Sequence, residues 1–261
     1  VEHRENRIRL TPQGERFYGY AEKMLNIYYD AAEEFSDPGH LAGTVRIAGG
    51  EPIVGLSFSQ LFLDFSVQYP KVAVNVQMIC CARVPEWIRR QEVGIGCVHE
   101  MEPCADPSCA CLPLYNEPIL FVTTEKNPLA GKGQVLWRDL ENQKFAYTYE
   151  DCCFTMAFRD RLRQQNVLPA SELFLGSVSA VMNSVAQEGR IALIPRSSFQ
   201  RLRCPETLYC LNWQEEPIRP WVQILYDKNR RLAPAEKELI AQAQSYARTL
   251  IAEDPEGEIY A

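Results

Sequence analysis

Thr44-Val45-Arg46-Ile47-Ala48-Gly49-Gly50-Glu51-Pro52 is the stretch on which the fold turns. Thr44 to Ala48 reads as a short buried strand, and Gly49 to Pro52 as a turn. Behind it, Ile53 to Tyr69 carries Ile53, Leu56, Leu61, Phe62 and Phe65 as one inward helical face, and Pro70 stops it. Val72 to Met78 alternates as a strand, Val84 to Gln91 is a short helix, and Val93 to Val98 is another buried strand. Strand–helix–strand–helix–strand predicts a mostly parallel sheet covered by helices.

The rhythm repeats further on. Phe145 to Tyr149 reads as a strand, Thr155 to Gln165 as a helix, Leu173 to Leu175 as a strand, Val178 to Gln187 as a helix, and Ile191 to Ile194 as a strand closed by Pro195. Two strand-like connectors, Glu117 to Val122 and Trp221 to Tyr226, flank this second unit. The later one leads into an amphipathic final helix with Ala235, Leu239, Ile240, Ala243, Tyr246, Ala247 and Leu250 inward. A late strand and helix suggest a return to the first unit. Two α/β lobes joined by two crossing strands make the Venus-flytrap arrangement of solute-binding domains.

Upstream, Arg9-Leu10-Thr11-Pro12-Gln13-Gly14-Glu15 heads a long helix. Thr11 suits an N-cap and Pro12 the first helical position. Phe17, Ala21, Met24, Tyr28 and Ala31, flanked by Tyr18, Leu25 and Ala32, make one apolar stripe ending near Asp37-Pro38-Gly39. A short basic strand-like piece with Arg4, Arg7 and Arg9 precedes it. An ordinary N-terminal helix with a chance cap is the plainer alternative.

Taken with these motifs, the chain resembles LysR-type transcriptional regulators along nearly its whole length. The Leu-Thr-Pro-x-Gly turn at Leu10 to Gly14 is similar to the junction between their DNA-binding wing and linker helix. Gly43 to Ala48 looks like the opening strand of their effector domain, and Phe65-Ser66-Val67-Gln68-Tyr69-Pro70-Lys71-Val72 matches a Phe-x-x-x-Tyr-Pro-x-Val signature. Pro113-Leu114-Tyr115, Pro118 to Val122 and Asn127-Pro128-Leu129-Ala130 resemble the passage into the second lobe, and Ile191 to Pro195 that lobe's last core strand. The resemblance implies a two-lobed, periplasmic-binding-protein-like (type 2) α/β effector domain preceded by a linker helix. Residues 1–10 would be a wing remnant, 11–38 the linker and dimerisation helix, 43–118 with 225–261 the first lobe, and 119–224 the second, crossing strands included. Two departures stand out: Gly94 where the family usually has an Asp, and Glu188-Gly189-Arg190 where it usually has Gly-x-Gly.

Composition bounds the function. Hydrophobic content of 46% and charged content of 23% are those of a globular chain, and no apolar run reaches spanning length, so a cytoplasmic location and no membrane partner are expected. Net charge is −7, from 27 Lys plus Arg against 34 Asp plus Glu, which is not the footprint of a self-sufficient DNA binder. Promoter DNA would be held through a helix-turn-helix upstream of Val1, with Arg4, Arg7 and Arg9 contributing only alongside it. The resemblance implies a homodimer or homotetramer.

Ligands of open α/β sheets sit beyond the strand carboxyl ends, where helix N-termini offer free amides. That geometry selects Gly49 to Pro52, Cys80 to Ala82, Val98 to Glu100, Glu150 to Thr155 and Gly176 to Ala180. The expected effector contacts are Gly50, Glu51, Pro52, Cys80, Cys81, His99, Cys152, Cys153, Ser177 and Ser179. Ser177 and Ser179 are the expected donors, or else plain N-caps. Glu51 would repel an anion, so either the effector carries an amine or hydroxyl or Glu51 points outward.

Ten cysteines read mostly as reduced thiols filling small buried volumes. Cys152 precedes a helix whose field favours the thiolate, at a position resembling the sensing cysteine of peroxide-responsive members, but Phe154 to Pro169 holds no resolving cysteine. His99-x4-Cys104-x4-Cys109-x-Cys111 offers soft donors for zinc or copper without any Cys-x-x-Cys. It reads first as a floppy Pro-rich surface loop. Three histidines and no nucleophile elbow, phosphate loop or His-Glu-x-x-His argue against an enzyme, and no cofactor is expected. The sequence therefore predicts a small-molecule-responsive regulator. The rivals are a metal- or redox-responsive regulator using the cysteine loops, and a solute-binding protein, in which the linker helix would have no place.

Overall fold

The computed structural model describes residues 2–4, 7–34, 41–202 and 207–252. A hairpin of β1 (Glu2–Arg4) and β2 (Arg7–Arg9) opens the chain and α1 (Pro12–Glu34) follows. Thr11 caps α1 as its sequence suggests, its hydroxyl accepting the Gly14 amide at 3.0 Å. The Asp37-Pro38-Gly39 break, and the side chains of Arg4, Arg7, Arg9, Leu25 and Ala32, lie outside what is described.

The first α/β unit runs β3 (Gly43–Gly49), α2 (Ser59–Gln68), β4 (Val72–Met78), α3 (Val84–Arg89), β5 (Ile95–Glu100) and β6 (Cys109–Asn116). The second runs β7 (Ile119–Thr124), β8 (Lys144–Tyr147), α4 (Cys153–Gln164), β9 (Ser171–Phe174), α5 (Val178–Glu188), β10 (Ile191–Pro195), α6 (Arg196–Phe199) and β11 (Leu208–Cys210). The chain then returns as β12 (Trp221–Asp227) and α7 (Pro234–Ala252).

Two five-stranded sheets result, ordered β4-β3-β5-β12-β6 and β11-β7-β10-β8-β9. Each has a parallel half, β4-β3-β5 and β10-β8-β9, matching the expected strand–helix alternation. The other strands are antiparallel, so both sheets are mixed. The architecture is the expected two-lobed α/β one. Because β12 sits between β5 and β6 from Trp221 onward, the first sheet resumes four residues before the boundary drawn at 225.

Burial explains the pairing. Val45, Ile47, Phe58, Phe65, Ile95 and Ile224 meet Leu239, Ala243 and Ala247 of α7 in one core. Phe121, Phe145, Phe158 and Ile191 anchor the other. Removing this much apolar surface from water is the main term holding each lobe.

Two local outcomes depart from the sequence reading, and a third accounts for a departure from the family pattern. The helix expected from Ile53 opens as a π-turn over Pro52–Ser57. Its first carbonyl, that of Pro52, is taken by the Ser57 hydroxyl at 3.0 Å and the Ser198 hydroxyl at 2.7 Å, while the Phe58 amide reaches back to Ile53. The stretch read as a floppy surface loop around Cys104, Cys109 and Cys111 is a loop only from Met101 to Ser108, and Cys109 and Cys111 lie in a strand. Cys109 opens β6, paired along its length with β12, and β12's buried Gln223 takes the Cys104 amide and the Cys111 thiol. Gly94, noted in the sequence as standing where the resembled family usually has an Asp, leaves room for the buried Glu236 of α7, whose carboxylate pairs with Arg230 at 2.9 Å.

Candidate functional site

The two lobes meet at the carboxyl ends of their parallel strands, with two strand junctions behind them. At that hinge the Glu117 amide donates to Pro220 O at 2.8 Å, Asn116 Nδ2 to Arg219 O at 2.6 Å, and the Ile119 amide to Ile218 O at 2.9 Å. The Glu117 side chain is buried, and its two oxygens face different lobes. Oε2 lies 2.9 Å from His99 Nε2 on β5, and Oε1 accepts the Ser197 amide of α6 at 2.8 Å. An ionised carboxylate only accepts, so His99 Nε2 carries the proton in this arrangement. The His99 ring meets Phe154 of the second lobe edge-on at 5.7 Å.

Three hydroxyls close the cleft beside the hinge. Ser57 lies 2.5 Å from Ser197 and 3.2 Å from Ser198, all three buried. Since Ser57 and Ser198 already donate to Pro52 O, Ser197 is left to donate to Ser57.

Further out, two contacts cross between the ligand loops. Glu51 Oε2 accepts the Val178 amide, at the first residue of α5, at 2.7 Å. The loop glutamate that seemed bound for solvent thus reaches the other lobe and meets its partial positive charge. The Cys80 thiol donates to Asp151 Oδ1 at 3.0 Å. Burial and this carboxylate push the Cys80 thiol up to about 12.

Of the expected effector contacts, Gly50, Glu51, Pro52, Cys80, Cys81, Cys152, Cys153 and Ser177 lie on the loops that face one another here. Gly50 is needed for its bareness, since a Cβ there would come within 2.9 Å of Cys81 Sγ. Ser177 caps its own helix, accepting the Ala180 amide at 3.2 Å, while Ser179 is exposed. His99 is taken up by the hinge rather than the cleft surface, and it does not join Cys104, Cys109 and Cys111. Among the described residues no group of three or more His, Cys, Asp or Glu is placed to hold a metal.

The thiols are not equivalent. Cys152 is the N-cap residue of α4, and the Cys153 thiol together with the Thr155 and Phe154 amides holds it below the ordinary thiol value in spite of burial. Cys153 is correspondingly raised, first by that shared hydrogen bond. Cys81 is raised by burial and by the facing Cys152.

Sequence reasoning missed Ser57, Asn116, Glu117, Ser197 and Ser198. The one signal for Glu117 was its place before Pro118 in a connector between lobes. The serines gave none, because they become a site only when the lobes meet.

Two α/β lobes hinged on paired strands, closing over the carboxyl ends of their parallel strands, define a clam-shell ligand-binding domain. Residues 38–248 match the LysR substrate binding domain, and the chain belongs to that family. It is 22% identical over 190 residues to the HTH-type transcriptional regulator GltR of Bacillus subtilis (strain 168), covering 73% of this chain and 62% of GltR. It thus spans less than two thirds of that relative's length. Among solved structures, the CcmR regulatory domain of Synechocystis PCC6803 in complex with 2-PG superposes with a TM-score of 0.70 at 17% identity, over 79% of this chain and 98% of that one. The effector binding domain of QuiR in complex with shikimate gives 0.66 at 14% identity, over 80% and 99%. At such identities these two likenesses speak for the fold.

Proposed function

We propose that this chain is the linker helix and sensing domain of a ligand-responsive transcription regulator. A small molecule enters between lobes 43–118 with 225–261 and 119–224, and changes how they close. That change would reach promoter DNA through a helix-turn-helix joined to α1. The observation that carries the reading is the meeting of both lobes at their strand carboxyl ends, where Glu51 and Val178 are bonded across the cleft. The relatives named as regulators, and neighbours solved with 2-PG and shikimate, support it. Gly50, Glu51, Pro52, Cys80, Cys81, Cys152, Cys153, Ser177 and Ser179 are the proposed contacts. The role is binding rather than catalysis, in the cytoplasm. Among the described residues no helix is long and apolar enough to cross a membrane. Arg4, Arg7 and Arg9 would add phosphate contacts at the DNA end. The exposed face of α1, with Phe17, Met24 and Ile27, would pair two copies.

A second reading is favoured by one observation. No cysteine follows Cys152 and Cys153 between Phe154 and Pro169, but the two cysteine loops of opposite lobes touch where the Cys80 thiol donates to Asp151 at 3.0 Å, next to Cys152, whose thiol is held below the ordinary value by the Cys153 thiol. Thermal unfolding of the reduced protein against a panel of small metabolites, zinc and mild peroxide separates the two. A metabolite that raises the midpoint with dose supports the effector cleft. A shift only with zinc or peroxide, reversed by chelator or reductant, moves the trigger to the thiols.

A further inference from the structure

Away from the cleft loops, two cysteines meet on a single oxygen. Gln223 of β12 is fully buried, and its side-chain amide holds the loop from Met101 to Ser108 that carries the chain from β5 to β6. Nε2 donates to Glu102 O at 2.8 Å, while Oε1 accepts the Cys104 amide at 2.9 Å and the Cys111 thiol at 2.6 Å. Cys104 on the loop and Cys111 on the strand are therefore gathered by the same atom. Both side chains also rest on one apolar cluster, against Val84, Ile88 and Leu225.

The surroundings fix this approach from both sides. Cys111 lies opposite Leu225 in the β6–β12 ladder, which puts it on the same face as Gln223. On the loop, Pro103 restrains the backbone entering Cys104. Beyond Cys104, Asp106 accepts the Ser108 amide at 2.8 Å and lies 3.8 Å from Arg89 of α3. A disulfide spans about 5–6 Å between Cα atoms, and two groups bonded to one oxygen reach that span by side-chain rotation and a small loop adjustment.

Exposure separates this pair from the other thiols. Cys104 and Cys111 are half-buried, whereas Cys80, Cys81, Cys97, Cys109, Cys152 and Cys153 are buried. Susceptibility to a dissolved oxidant rises with exposure. Burial raises the Cys111 thiol above its ordinary value, which leaves Cys104 as the thiol that meets the oxidant first.

We propose that Cys104 and Cys111 form a reversible disulfide, a redox-modification site that staples the loop of residues 101–108 to β6. With a peroxide as oxidant, the Cys104 sulfur attacks one peroxide oxygen and the O–O bond breaks. The second oxygen leaves as water with the thiol proton, and Cys104 becomes a sulfenic acid. The Cys111 sulfur then attacks that sulfur, the S–O bond breaks, and a second water leaves with the Cys111 proton as the S–S bond forms. The two thiols lose two electrons and the peroxide takes them up. Gln223 gives up one donor and keeps the Cys104 amide and the Glu102 carbonyl, so its buried amide stays paired on both atoms. Met101, three residues before Cys104, packs against the core of the second lobe, so the staple stiffens a segment by which the lobes touch. The site is separate from the cleft thiols and does not depend on what enters the cleft.

The test treats the reduced wild-type chain with a small excess of hydrogen peroxide and blocks the remaining thiols by alkylation. Cleavage before Asp106 then separates Cys104 from Cys109 and Cys111, and mass spectrometry is run without reductant. One link across Asp106 is expected, with fragment ions between Cys109 and Cys111 assigning it to Cys111. Dithiothreitol should remove it, and amide exchange over residues 101–108 should be at least tenfold slower in the oxidised form. Cys111→Ser should abolish the link and Cys109→Ser should keep it; the wild-type map decides the assignment even if a variant folds poorly. No link across Asp106, a link assigned to Cys109, or bridges confined to Cys80, Cys81, Cys152 and Cys153 would each overturn the proposal.

Discussion

Glu117 connects more of this molecule than its neighbours do. It stands between the lobes with one oxygen on His99 of β5 and the other on the Ser197 amide of α6, and all three residues are buried. Removing the carboxylate leaves a buried imidazole N–H and a buried amide without acceptors, and bonds to a charged acceptor contribute more than neutral ones. Glu117→Ala should therefore destabilise the protein by about 2–3 kcal/mol in denaturant unfolding, with Glu117→Gln recovering part of that. An unchanged midpoint for Glu117→Ala would show that the hinge does not depend on this carboxylate. At this scale the sequence was informative in part. Glu51 was legible as a residue with a charge problem, because a loop carboxylate at a ligand turn is unusual chemistry. Its solution was not legible, because the Val178 amide is 127 residues away and meets Glu51 only once two lobes have folded and closed.

Among the elements, legibility followed periodicity. Strands β3, β4, β8 and β10 and helices α4, α5 and α7 came out close to their expected spans, since each is a clean apolar repeat between breakers. Strand β6 did not, because Pro113 and the two thiol positions Cys109 and Cys111 hide its alternation; pairing with β12 overrides that weak local preference. The departure at Gly94 also resolves at this scale. The carboxylate absent from β5's approach is supplied in space by Glu236 from the start of α7, tied to Arg230 and to the Ala233 amide. Gly94→Ala would drive a methyl into that carboxylate. The expected cost is about 1–3 kcal/mol by denaturant unfolding, as for other overpacked sites. A neutral Gly94→Ala would mean that Glu236 moves freely and does not pin α7.

For the whole molecule, the question is how closure is passed on. Helix α1 exposes Phe17 at 68%, Met24 at 63% and Ile27 at 68%, a row too apolar for a face left in water. Steps of seven and three residues place them on one side, as in a helical seam. If α1 pairs with a second copy, Met24→Glu should convert a dimer to a monomer in light scattering, with far-UV circular dichroism of the lobes unchanged. A wild-type chain that is already monomeric at high micromolar concentration would remove that role from α1.

The central claim is that a small molecule binds between the lobes, and one titration tests it most directly. The best-stabilising metabolite from the panel should be titrated calorimetrically into the wild type and into Ser179→Trp, whose exposed position lets an indole fill the cleft mouth without disturbing a core. The account predicts saturable one-site binding to the wild type and at least a tenfold loss in the variant. Equal affinity for both proteins would place the ligand elsewhere and contradict the cleft as the sensor.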